Sequence, residues 1–154
     1  MYDYFVAELR CPGCGTPNAA TAYTNMQTHI RGSGADGSEL TVGTSFEPVY
    51  LTTEHLEGSG YVLIAPPSDA NSLRLLDVWI CQACDTEQWA VVEIVAGRIE
   101  RIEAVAMNRA TFEVANFIDD VHAELLAAGL LGITWAEFSE RKLSSVEILR
   151  QRLG

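Results

Sequence analysis

Two cysteine pairs of identical spacing, Cys11-Pro12-Gly13-Cys14 and Cys81-Gln82-Ala83-Cys84, constrain this chain more than any other feature. A Cys-x-x-Cys turn aims two sulfurs at one point. A second such turn completes the closed tetrahedral cage typical of structural zinc, or of iron held the same way. Cys11, Cys14, Cys81 and Cys84 are therefore the expected ligands of one structural Zn²⁺ per chain. Gly15, directly after Cys14, can take positive φ and turn backbone N–H groups toward the sulfurs. Asp85 holds the equivalent place after Cys84 and tolerates the left-handed region better than most residues.

Redox cycling of either pair requires a helix opening at the first cysteine to activate the thiol. Here Cys14 runs into Gly15-Thr16-Pro17-Asn18 and Cys84 into Asp85-Thr86, both turn-rich. A disulfide-stapled secreted scaffold fits poorly with the opening Met1-Tyr2-Asp3-Tyr4, which has no basic, apolar export signal, so the expected location is cytoplasmic.

Positions 15 to 80, 66 residues, separate the pairs, whereas short zinc motifs space theirs by about 15 to 20. The metal is thus expected to staple an elaborated sheet. Its loss, by chelation or by Cys11→Ser, acts through folding. The chain has 154 residues, 48% of them hydrophobic, enough for one core with a small appendage. Its apolar runs, such as Leu125 to Ile133, fall short of the roughly 20 residues that cross a bilayer, so no membrane association is expected. The formal net charge is −11, and a zinc tetrathiolate adds about −2. This charge disfavours phosphate backbones; solubility is its simpler explanation, and a basic protein partner the sharper alternative. Basic residues gather only late, at Arg141, Lys142, Arg150 and Arg152.

Along the chain, Tyr4 to Arg10 reads as a strand delivering Cys11 to its turn, and Thr24 to Ile30 as a second strand. Gly32 to Ser38 has turn chemistry and reads as a mobile loop; it lacks the lysine and strand-to-helix context of a phosphate cradle. Leu40 to Phe46, Tyr61 to Ala65 and Leu73 to Ile80 follow as strands, Pro66-Pro67 ending the second. Trp89 to Val95, an Ala96-Gly97 turn and Ile99 to Val105 read as a hairpin. Trp79 and Trp89 flank the second cysteine turn, where packing in a small core is the simpler expectation and lining a cleft the alternative.

From Arg109 the period turns helical. Val114, Phe117, Ile118, Val121 and Leu125 fall on one stripe that predicts a core-facing helix over 111–128, stopped by Gly129, with His122 packed beside the stripe. Capping boxes Thr134-x-x-Glu137 and Ser144-x-x-Glu147, stapled by Ile133/Phe138 and Leu143/Ile148, start two more helices over 134–141 and 144–153. The expected fold is α+β: an antiparallel β sheet carrying the four-cysteine zinc ribbon over 1–107, with a helical extension of two to three helices over 108–154 packed on it.

Cys11-Pro12-x-Cys14-Gly15, Met26-Gln27-Thr28, Val42-Gly43 and Cys81-x-x-Cys84 resemble small bacterial and phage zinc-ribbon proteins with a rubredoxin-like four-cysteine arrangement. The resemblance spans approximately residues 3 to 95 and implies a ribbon fold and zinc ligation. In that pattern a lysine often follows Gln-Thr, where this chain has His29; the helical C-terminus lies outside it.

Four thiolates leave zinc no open position for water, so the metal is not expected to be catalytic. An enzymatic reading needs other groups: His55, between Glu54 and Glu57 on an expected loop, or His29 as a general base. No Gly-x-Ser-x-Gly, Gly-x-Gly-x-x-Gly or His-Glu-x-x-His pattern is present. The leading expectation is a non-catalytic, zinc-stabilised protein-interaction or accessory module, an adaptor, inhibitor or complex subunit, that contacts a basic partner through Trp135 and the C-terminal helix. The alternatives are a small enzyme built around His55 and His29, and a nucleic-acid-binding regulator using its short C-terminal helices.

Overall fold

The longest ladder comes from alternating apolar segments. In a computed structural model describing residues 1–69 and 71–154, β7 (Ser72–Ile80), β8 (Glu87–Val95) and β9 (Arg98–Val105) form an antiparallel meander. It is tightened at Ala96-Gly97, both at positive φ, as a two-residue hairpin turn demands. Two further strands complete a five-stranded sheet of order β6-β10-β7-β8-β9, with β6 at Tyr61–Leu63 and β10 at Phe117–Asp119. β10 pairs antiparallel with β6 and parallel with β7.

Successive residues of these strands face opposite sides. Leu75, Val92 and Phe117 therefore enter one buried cluster with Phe5, Leu9, Met26, Ile30 and Trp79, while Leu76, Val91 and Ile118 enter another with Ala123, Ala127, Phe138 and Leu149. The first cluster lies under a small sheet of order β4-β1-β5, made from β1 (Asp3–Phe5), β4 (Gln27–Thr28) and β5 (Glu39–Leu40), and under the β2–β3 hairpin (Leu9–Arg10 and Pro17–Asn18). The second lies under α2 (Arg109–Glu113), α3 (Asp120–Leu131), α4 (Trp135–Glu140) and α5 (Ser145–Arg152). A short α1 (Thr53–Glu57) packs beside β6. The molecule is mixed α+β. Its main ladders are antiparallel, and the β10–β7 and β1–β5 pairs are parallel.

Several expected elements differ. The single helix over 111–128 is two helices interrupted by β10. Phe117 and Ile118 are buried on opposite faces of the sheet, whereas Val114, Val121 and Leu125 are exposed. Asn116 makes the break: its Nδ2 donates to the Ala65 carbonyl and its Oδ1 accepts from Arg74 N–H, fixing β10 at the sheet. β10 thus lies inside the main sheet, between β6 and β7, although the segment after residue 107 is expected to be helical. Tyr4 to Arg10 is split into β1 and β2. Thr24 to Ile30 contributes only β4 after a turn of 3-10 helix at Ala22–Thr24, and Leu40 to Phe46 gives only the end of β5 and an isolated Ser45–Arg98 bridge.

α3 runs through Gly129 and stops at Gly132, whose φ of 69° permits the left-handed cap. The Thr134–Glu137 capping box is complete. At Ser144 only the hydroxyl half is made, accepting from Glu147 N–H. Gly32 to Ser38 is tied down: Asp3 accepts from the Ser38 and Asp36 N–H groups and from both arms of Arg31, which also bonds Asp36. No helix of the described residues is long and apolar enough to cross a membrane.

Candidate metal centre

Two hairpins deliver the cysteines. Leu9–Arg10 pairs with Pro17–Asn18 around the first turn, and Ile80 pairs with Glu87 around the second. The turns repeat one another bond for bond. Cys11 N–H donates to Thr16 O and Gly15 N–H to Cys11 O; Cys81 N–H donates to Thr86 O and Asp85 N–H to Cys81 O. Gly15 and Asp85 both take positive φ, 76° and 55°.

The four ligand sulfurs lie within 4.8 Å of one another, with Cys11–Cys84 at 3.8 Å and Cys14–Cys81 at 3.7 Å. These separations are far beyond a disulfide bond, and all four cysteines are free. They match a tetrahedron of metal–sulfur bonds of about 2.3 Å, whose edge is about 3.8 Å. The donor set therefore fits one tetrahedral thiophilic ion with no coordination position left over. Cys11 and Cys81 are buried and Cys14 is exposed, so the centre sits at the surface with half of it sealed.

The electrostatics of the sulfurs are uneven. The Asn18 amide, donating to Cys81 Sγ at 3.4 Å, and backbone N–H groups from the same turn hold the Cys81 thiol down at about 6. Bonds from Thr16 lower Cys14. Thr86 pulls Cys84 down, but burial and the neighbouring sulfurs outweigh it and push that thiol up to about 11. A bound cation would hold all four as thiolates.

Asn18 had no sequence signal beyond its nearness to Cys14. Its Oδ1 accepts from Gln82 N–H at 2.7 Å while its Nδ2 reaches Cys81 Sγ, so one side chain of the first hairpin orients the second cysteine turn. Outer bonds of this kind fix metal ligands in place.

The histidines are distributed differently from expectation. His55 lies on α1 rather than a loop. Its Nε2 contacts the Ile30 carbonyl and its ring packs edge-on against Tyr50, so both its polar and apolar parts have structural work. The exposed His29 comes to the same shallow groove, of about 520 Å³, and stacks edge-on with Tyr2. His122 does more than pack. Its Nδ1 lies 2.9 Å from Asp119 Oδ1, and its Nε2 lies 3.1 Å from Glu87 Oε2 on β8. Asp119 in turn caps α3 by accepting from His122 N–H. The Asp119 bond is the main cause of a raised His122 pKa, with Glu87 adding to it. Trp79 is wholly buried, donating to Trp89 O, while Trp89 is half-buried and edge-on to His122.

Half of the expected basic patch is paired: Arg141 lies by Glu137 and Arg150 by Glu147, and Arg150 also donates to the Ile64 carbonyl.

No protein-family model, no curated protein and no solved structure matches this chain.

Proposed function

We propose that the chain is a non-catalytic accessory module of the cytoplasm, held in shape by one structural zinc ion on Cys11, Cys14, Cys81 and Cys84, and that it binds a basic protein as adaptor, inhibitor or complex subunit. The observation that carries this reading is the outer face of α3 and α4. Val121 and Leu125 stand exposed at i, i+4, and Trp135 is 47% exposed with its indole N–H donating to Glu124 Oε2 at 2.9 Å. Apolar side chains of this size left in solvent and edged by carboxylates make a docking face, and a fixed aromatic at its centre is the usual anchor. The Glu124 and Asp120 carboxylates on the same helix and the net charge of −11 favour a partner of opposite sign. Zinc suits the cage because four cysteine thiolates at tetrahedral spacing are its usual structural donor set, and a filled tetrahedron serves shape rather than Lewis-acid chemistry.

The test is quantitative affinity purification from native cytoplasm with the wild-type chain and a Leu125→Ser/Trp135→Ala double variant. The expected result is a basic protein retained at low salt, released at high salt and lost with the double variant, whose own fold is unchanged. Retention of every partner by the double variant, or a wild-type chain that remains a monodisperse monomer without one, overturns the reading.

A further inference from the structure

A buried aspartate on the central sheet has no place in the core it occupies. Asp77 lies on β7 between Leu75 and Trp79, on the face that points into the first apolar cluster, and is 1% exposed. A leucine at this position would pack with its neighbours; a carboxyl there must be desolvated. Its Oδ2 accepts from the Tyr61 hydroxyl at 2.7 Å, and Tyr61 lies 2.9 Å from Thr28 Oγ1. Its Oδ1 has no hydrogen-bond partner among the described residues, yet no buried side-chain oxygen there is left unsatisfied, so Oδ1 meets an opening. That opening is a groove of about 310 Å³ whose floor includes Asp77 and whose walls carry Asn25, Gln27, His29, Glu87, Asp119 and His122.

The walls supply three carboxylates in all and two amide side chains, and no lysine or arginine of the described residues lines them. His122 is the one internal counter-charge, and it is already engaged by Asp119 and Glu87. Asp77 is left as a carboxyl at the bottom of an acidic cleft with one oxygen unclaimed. The donor spacing does not form a metal cage: the cysteines are the one group of described residues whose ligand atoms converge for an ion. The chemistry that fits is a larger, hydrogen-bonding cation, which takes several acceptors at once.

We propose that this groove binds an organic cation, a guanidinium or primary ammonium group, seated on Asp77 with Asn25 or Gln27 and the Glu87 carboxylate around it. The site is separate from the α3–α4 docking face and does not depend on the partner reading. Binding is coupled to a proton. Burial first, and then the Asp119 charge, hold the Asp77 carboxyl well above the ordinary carboxylate value, so the free groove keeps its proton longer than an exposed acid does. The cation favours the carboxylate. Asp77–COOH and the cation become an ion pair, and H⁺ leaves to solvent.

Affinity therefore rises with pH through the Asp77 titration. Neither His122 nor Tyr61, which also face Asp77, opposes this rise. His122, raised by Asp119, loses its positive charge as pH rises, and Tyr61 beneath Asp77 is pushed above its usual range by burial first and then by the Asp77 charge. Glu87, Asp119 and His29 also line the groove.

The experiment is isothermal titration of the full chain with methylguanidinium and methylammonium, run at several pH values and in buffers of different ionisation heat, with tetramethylammonium as a cation that cannot donate. A parallel arm titrates N-acetyl-arginine amide. Saturable binding of the donating cations with proton release, and none of tetramethylammonium, is expected. Tighter binding of the arginine amide identifies a protein side chain as the source, and tighter binding of the small cations identifies a free metabolite. Asp77→Asn keeps an acceptor for Tyr61 and is expected to stay folded, with a higher Tm at neutral pH because no buried acid remains to ionise. It should weaken the cation at least about tenfold and abolish proton release. Glu87→Gln, on an exposed side chain, is the second variant and should weaken binding while leaving proton release in place. Absence of saturable binding in the wild type, or equal binding by Asp77→Asn, overturns the proposal.

Discussion

Asp3 shows how much one side chain near the chain start organises. It is wholly buried, yet it accepts from Arg31 through both carboxylate oxygens at 2.7 Å and from the N–H groups of Asp36 and Ser38. The Arg31 bond, ahead of smaller contributions, holds its carboxyl below the ordinary carboxylate value. A depressed acid contributes stability that is fully present above its unfolded pKa of about 3.9 and is lost as pH falls through the lower folded value. Asp3→Asn keeps the shape and removes the charge. The wild-type advantage over this variant, read from denaturant titrations, should be about 2 kcal/mol at pH 6 and should shrink toward zero as the solution is taken well below pH 4. An advantage that does not change with pH would mean that the pair contributes nothing through its charge. Asn18 plays the comparable part at the cysteine cluster, bonding Cys81 Sγ and Gln82 N–H from a position that belongs to the other hairpin.

At the scale of elements, the interruption of the expected long helix decides what the C-terminal third can do. Ile118 is buried on β10, whereas Leu125 is 43% exposed on α3. Ile118→Ala should therefore destabilise by about 2–5 kcal/mol, while Leu125→Ala should change stability by less than about 0.5 kcal/mol. Thermal unfolding of the two variants checks this directly, because a single amphipathic helix with both residues on its buried stripe would penalise both.

The sequence made the cysteine turns, the β7–β8–β9 meander and the Thr134 and Ser144 helix starts legible, because each depends on neighbours within a few positions: paired sulfurs, period-two alternation, a hydroxyl three residues before a carboxylate. β10 was not legible. Val114, Phe117, Ile118, Val121 and Leu125 satisfy a helical period, and only Asn116, by bonding Ala65 and Arg74 far away in sequence, turns Phe117-Ile118 into a strand. The Asp77 groove was hidden for the same reason. Its walls come from β7, β8, the end of β10, α3 and the segment around β4, and no local spacing joins them.

At the scale of the whole molecule, the four sulfurs tie an N-terminal hairpin to the tip of the main sheet across 66 intervening residues, positions 15 to 80. An ion there would restrict the unfolded chain over a long loop and remove the mutual repulsion of the thiolates, so its binding would be coupled to folding. Both apolar clusters are built mostly from side chains other than the cysteines, so a metal-free chain is expected to keep a weaker core.

The most direct measurement is native mass spectrometry of freshly purified full chain, with thiol titration and a thermal melt on the same sample before and after chelation. One zinc ion per chain is expected, with cysteines unreactive until the metal is removed and a fall in Tm of at least about 10 °C on removal. A metal-free chain with reactive or disulfide-linked cysteines and an undiminished Tm would contradict a metal staple between the two cysteine hairpins.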